Sequence, residues 1–163
     1  MRIELVRGDI TAQYVDAIVT AANSALRGGG GVDGAVHAAA GPELLVACRA
    51  LAPCPTGDAV VTPAYRLAPI RWVIHAVGPV WSGTPADAAL LASAYTSSLT
   101  RADEVGATSV AFPSISTGVY GYPVEEAAQV SVAALRRAST DVELVRLVAF
   151  GNRAHDAWAA ALG

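Results

Sequence analysis

The chain predicts a three-layer α/β/α sandwich around a central mixed, mostly parallel sheet, and three observations carry that expectation. Apolar, strand-like runs alternate with helical patterns along all 163 residues. Several of the runs are nearly continuous in apolar residues, as in strands covered on both faces. Two glycine-rich loops, about eighty residues apart, each follow a strand and precede a helix. In such sheets ligands gather at the carboxyl ends of the strands.

Strands are expected at 3–6, 17–20, 59–62, 72–77, 109–112 and 144–150. Helices are expected at 34–40, 43–51, 86–105, 124–139 and 154–162. Gly41-Pro42 separates the first two helices, because neither residue continues a helix well. Thr84-Pro85 with Asp87 suggests an N-cap, a proline at the first helical position and an acid in the first turn. Pro123 with Glu125 and Glu126, ending at Arg136-Arg137, matches the helix dipole at both ends. With no repeat, tail or linker in view, residues 1–163 are expected to form one domain.

The composition narrows the function classes. A hydrophobic fraction of 53% and a mean hydropathy of +0.42 exclude disorder. The uncharged stretch Val105–Val124 holds three glycines and two prolines, a poor membrane span. Glu4 and Asp9 in a strand-like start do not read as a signal peptide, so a cytoplasmic protein is expected. Net charge is −3, and all eleven basic residues are scattered arginines. Without a basic stripe, neither nucleic acid nor a membrane surface is an expected partner. Cys48 and Cys54 lack metal-ligand spacing and read as reduced, buried thiols.

The first loop runs Gly28-Gly29-Gly30-Gly31-Val32-Asp33-Gly34, shortly after Asn23. The second runs from Ser114 to Pro123 and includes Ser116, Thr117, Gly118, Val119 and Tyr120. Glycines let backbone amides approach a ligand, and a following helix adds its positive end. Neither loop carries lysine or arginine, so an anion here would be held by amides. Gly29-x-Gly31-x-x-Gly34 also fits a dinucleotide fingerprint. However, it follows the second strand, and the chain leaves little room for a dehydrogenase's substrate domain. Ser116 has no Gly-x-Ser-x-Gly elbow and no evident His–Asp partner, which argues against a serine hydrolase. His37 reads as helix packing, His75 as a core histidine, and Trp72, Trp81 and Trp158 as packing.

Taken together, Gly8-Asp9-Ile10-Thr11, Ala21-Ala22-Asn23, the first loop with Ala35–Gly41, His75–Trp81 and the second loop closely resemble the macrodomain family. The resemblance covers essentially the whole chain and points to the MacroD-type branch of ADP-ribosyl hydrolases. It implies that Asp9 accepts a hydrogen bond from the adenine amino group, with the Ile10 backbone nearby and Phe150 flanking the ring. Gly30, Gly31 and Val32 would wrap one phosphate, and Ser116, Thr117, Gly118, Val119 and Tyr120 the other, with Tyr120 bordering the distal ribose. Asn23 would bond the distal ribose hydroxyls, and Asp33 would orient the attacking water. The implied partners are ADP-ribose and mono-ADP-ribosylated proteins, with no metal or cofactor and a monomeric chain.

The residue chemistry is compatible with that picture. A glutamyl leaving group, whose acid has a pKa of ~4.3, needs no general acid to depart. The loops offer one acid, Asp33, which favours ester-linked substrates unless Glu125 or Glu126 approaches in the fold. Either Asp33 or a substrate phosphate could take the water's proton. The family's hydrolase branch usually reads Asn-Ala-Ala-Asn after the second strand, whereas this chain reads Thr20-Ala21-Ala22-Asn23. That departure keeps a second reading open, a module that binds ADP-ribose without hydrolysing it.

Overall fold

The computed structural model describes residues Met1–Gly163. Six strands, β1 (Arg2–Arg7), β2 (Ala17–Ala21), β3 (Ala59–Pro63), β4 (Trp72–Ala76), β5 (Ser109–Phe112) and β6 (Leu144–Ala149), form one sheet. Its order is β1-β6-β5-β2-β4-β3. Every pairing is parallel except β3 with β4, which puts the antiparallel strand at an edge. The helices are α1 (Gly31–Ala40), α2 (Glu43–Leu51), α3 (Ala86–Glu104), α4 (Val124–Arg137) and α5 (Asn152–Leu162).

The alternation of strand side chains creates two cores. Val19, Ile74, Val110, Phe112 and Leu147 face one side, where Leu91 and Tyr95 of α3, Val132 and Leu135 of α4 and Trp158 of α5 cover them. Ile18, Val73, Ala111 and Val148 face the other side, against Val36 of α1 and Leu44 and Cys48 of α2. Both faces of the sheet are therefore dry, which is why the strands read as unbroken apolar runs.

Most expected boundaries lie within two residues of the observed ones, and α1 is the exception. It starts at Gly31, inside what reads as loop, because Gly30 caps it and the last glycines of the run enter the first turn. Short 3-10 turns at Ile10–Ala12 and Tyr65–Leu67 were not anticipated; Asp9 caps the first by accepting from the Thr11 amide. Thr84 is not a side-chain cap of α3, contrary to the sequence reading. The Asp87 carboxylate instead reaches back to the amides of Ser82 and Gly83 (both 2.9 Å) and to the Ser82 hydroxyl (2.7 Å). Gly41, at φ 89°, closes α1 before α2, and both cysteines are free and buried. No helix is long and apolar enough to cross a membrane.

Candidate functional site

The five contiguous parallel strands β1, β6, β5, β2 and β4 deliver their following loops to one end of the sheet. A cavity of about 300 Å³ opens there. Its walls combine Asn23 and Gly29–Asp33 after β2, Gly78 after β4, and Pro113–Ser116 with Gly118–Tyr120 after β5. The two glycine-rich loops thus face each other across one space. No arginine lines it, and Asp33 is its only carboxylate.

Each loop is built by local chemistry. The Asn23 side chain donates to the Gly28 carbonyl (3.0 Å) and accepts from the Arg27 amide (3.1 Å), closing the turn before α1 while still lining the cavity. No side chain caps α1, so its first amides, which a helix leaves without internal acceptors, remain available at the cavity wall. Tyr95, buried in α3, donates to the Pro113 carbonyl (3.0 Å) and accepts from the Ile115 amide (3.2 Å), fixing the root of the second loop. Trp81 and Tyr120 join the loop to the chain after β4 through a backbone bond of 2.8 Å. A Cβ on Gly78 would collide with Ser116 Oγ and Ile115, so glycine there lets the two segments close up. Ser116 is held at φ 68°, and its buried hydroxyl has no partner within the protein.

Asp33 is buried to 4% exposure in the first turn of α1. Its Oδ1 accepts from Thr20 Oγ1 at 2.9 Å and lies 3.7 Å from His37 Nε2, one helical turn on. Burial pushes its pKa above the ordinary carboxylate value; the Thr20 hydrogen bond and the His37 charge pull part of the way back. His37 is more than helix packing: as the i, i+4 neighbour of Asp33 it faces the carboxylate. The Thr20–Asp33 bond, which joins a strand to a helix, had no signal in the sequence.

The other expected residues divide between the cavity and its surroundings. Gly30, Gly31, Val32, Ser116, Gly118, Val119 and Tyr120 line the cavity. Thr117 does not, because its hydroxyl turns back to Ser114 (2.9 Å). Asp9, Ile10 and Phe150 also lie outside it, farther along the same end. There β1 and β6 end side by side, joined by a bond from the Gly8 amide to the Ala149 carbonyl. Phe150 is 90% exposed there, Ile10 is buried, and Asp9 keeps one oxygen free of the turn it caps. Glu125 pairs with Arg153, and neither Glu125 nor Glu126 lines the cavity.

Under Asp33 the fold gathers donors that are scattered in sequence. Atoms of His37, Cys48 and His75 lie within 4.8 Å of one another. Cys48 Sγ is equidistant, at 3.7 Å, from both His75 ring nitrogens, so neither nitrogen's lone pair points at it in preference. His75 Nε2 is engaged with Thr62 Oγ1 (2.9 Å), and burial pushes the Cys48 thiol up to about 11. These are features of a hydrogen-bonded packing layer rather than of converging metal ligands. Burial also pushes the His75 imidazole down to about 3. The unfolded chain takes up this proton near pH ~6.5 and the native chain does not, so stability falls as pH drops from there towards 3. Urea unfolding is expected to show His75 removing about 2 kcal/mol between pH 7 and pH 5. A His75→Gln variant should lack that share, and identical pH slopes in the two proteins would contradict a buried neutral imidazole.

The Macro domain family model matches residues 19–131, which contain both loops and most of the sheet. A Macro domain-containing protein of Streptomyces coelicolor, SCO6450, is 54% identical over 99% of this chain and 98% of its own. The O-acetyl-ADP-ribose deacetylase of Citrobacter rodentium is 57% identical over 80% of this chain and 76% of its own. An Oceanobacillus iheyensis macrodomain variant solved with ADPR superposes with a TM-score of 0.93 at 43% identity, covering 98% of this chain and 91% of that one. The order of strands, the paired amide loops and these similarities agree, and the chain belongs to the Macro domain family.

Proposed function

We propose that residues 1–163 form one ADP-ribose-binding domain that hydrolyses ester-linked mono-ADP-ribose on acidic protein side chains and deacetylates O-acetyl-ADP-ribose. The observation that carries this reading is one buried carboxylate, Asp33, in a cavity otherwise walled by two amide loops. The relatives support it: one is named for deacetylation of O-acetyl-ADP-ribose, and another was solved with ADPR. Structures of that Oceanobacillus protein carry substitutions at an asparagine, at a glycine seven residues on and at an aspartate ten residues on, the spacing of Asn23, Gly30 and Asp33.

In this reading the pyrophosphate lies between the two loops, its charge met by fixed amide dipoles that need no reorganisation during the reaction. Asn23 orients the distal ribose, and Asp33 orients a water against the ester. Asp9 and Phe150 receive the adenine farther along that end of the sheet. Burial makes Asp33 more basic than an exposed aspartate, which favours it over a phosphate as acceptor of the water's proton. A glutamyl carboxylate then leaves unassisted. When an acetyl group is removed, the proton on Asp33 can pass to the departing ribose oxygen.

The deciding test is incubation with a glutamate-linked mono-ADP-ribosylated protein in the presence of a chelator. Catalytic release of ADP-ribose is expected; binding of ADP-ribose without release would make the chain a reader instead. A separate expectation concerns the second loop. A Cβ on Gly118 would meet nothing within 4 Å, so Gly118→Val should fold normally. It should nonetheless weaken ADP-ribose binding about tenfold by holding the phosphate away from the amides. Calorimetric titration beside a thermal melt checks both halves.

A further inference from the structure

Thr20 is the one strand residue whose side chain reaches the cavity's carboxylate, and its hydroxyl makes that single contact. The residue is fully buried on β2, opposite His75 of β4, and does not line the cavity. Its Oγ1 donates to Asp33 Oδ1 at 2.9 Å, and His37 Nε2 lies on the same oxygen at 3.7 Å. Both partners therefore engage one oxygen of the carboxylate.

The other oxygen, Oδ2, has no hydrogen-bond partner within the protein. A Cβ built on Gly29 would stand 3.9 Å from Oδ2 and 3.9 Å from Asn23 Nδ2. The glycine thus leaves a gap at the cavity wall between an acceptor and a side-chain donor that still has one free hydrogen. That gap suits a water or a ribose hydroxyl.

We propose that Thr20 is a positioning residue: its hydroxyl locks Asp33 by Oδ1 and leaves Oδ2 as the single carboxylate oxygen that meets water in the cavity. The inference deepens the hydrolase reading and rests on it. A hydroxyl can do this where an amide is not required, because an ionised carboxylate needs only a donor. The bond also opposes burial by favouring the charged form. The other titratable groups facing Asp33 are His37 on its own helix, Cys48 from α2 and, behind His37, His75 from β4. Of these, the thiol and the His75 imidazole are neutral at pH 7. Among the side chains, the Thr20 hydroxyl is the one hydrogen-bond donor to the Asp33 carboxylate.

Two substitutions separate positioning from packing. Thr20→Val keeps the shape and removes the donor; Thr20→Ser keeps the donor and removes a methyl. If the hydroxyl positions Asp33, Thr20→Val should lower kcat about ten- to hundredfold, the range for a hydrogen bond to a charge. Its ADP-ribose affinity should stay within about twofold, and the acid limb of its pH–rate profile should move up by about one unit. Thr20→Ser should restore both kcat and the profile. A packing role predicts the reverse ranking, with valine tolerated and serine impaired.

The Asp33 carboxyl should also be titrated directly by ¹³C NMR in all three proteins. An upward move in Thr20→Val alone supports the proposal, and identical titration in all three overturns it. That readout needs no turnover, so an inert wild type would sink the hydrolase reading while the titration still decides the role of Thr20.

Discussion

Asp33→Ala is expected to lower turnover of a glutamate-linked substrate by at least a hundredfold, the usual contribution of a positioned acid or base. ADP-ribose affinity should change little, because the phosphates are assigned to amides on either side of it. The effect on stability is a balance. The substitution strips Thr20 Oγ1 of its partner in a fully buried position, which costs about 1–3 kcal/mol. It also removes a carboxylate whose burial is itself unfavourable, as its raised pKa records. These terms oppose each other, so the melting temperature should move by only a few degrees. Single-turnover kinetics beside calorimetric titration tests the separation. Wild-type-like release by Asp33→Ala would remove this residue from the mechanism and leave the substrate phosphate as the base. Asp33→Asn refines the test, since the amide oxygen can still accept from Thr20 but cannot take a proton.

The second large effect is expected at Gly34, whose contribution is steric. A Cβ there would stand 2.6 Å from the carbonyl oxygen of Gly29, a backbone atom that cannot rotate away. Gly34→Ala must therefore push Gly29 away from the first turn of α1, moving the neighbouring amides of Gly30 and Gly31 and the gap beside Asp33. Preorganised dipoles lose their value when displaced by about 1 Å, and losses near a hundredfold are typical of such shifts. ADP-ribose affinity and turnover should fall together, by about tenfold or more each. Gly118→Val should behave differently, because its Cβ has open space and acts only against ligand. If Gly34→Ala bound ADP-ribose as wild type does, the first loop could not be the rigid wall described here.

The elements legible in the sequence were those fixed by local rules. β5 and α2 could be bounded to the residue, because a short apolar run and a Gly-Pro break are both read from neighbouring positions. The two loops were legible because glycine runs are rare and each sits between a strand pattern and a helix pattern. Their lack of arginine and lysine already pointed to amides as the anion holders. Where a local signal was ambiguous, the reading slipped. Thr84 looks like the cap of α3, yet its hydroxyl pairs with that of Ser82, and the Asp87 carboxylate holds the amides of Ser82 and Gly83, which precede the helix.

Three features depended on contacts distant in sequence. Thr20 and Asp33 meet because β2 passes beneath the first turn of α1, a contact set by sheet order and helix packing. Cys48 and His75 share a layer because α2 and β4 face the same core, although 27 residues separate them. Gly78 matters because two loops from different strands close against each other at Ser116. The strand–helix alternation, the two amide loops and the single acid between them are legible from neighbouring positions, since each follows from the periodicity and conformational freedom of adjacent residues. Tertiary structure alone decided which oxygen of Asp33 is held and which is free, because a hydrogen bond depends on where two remote segments are brought together.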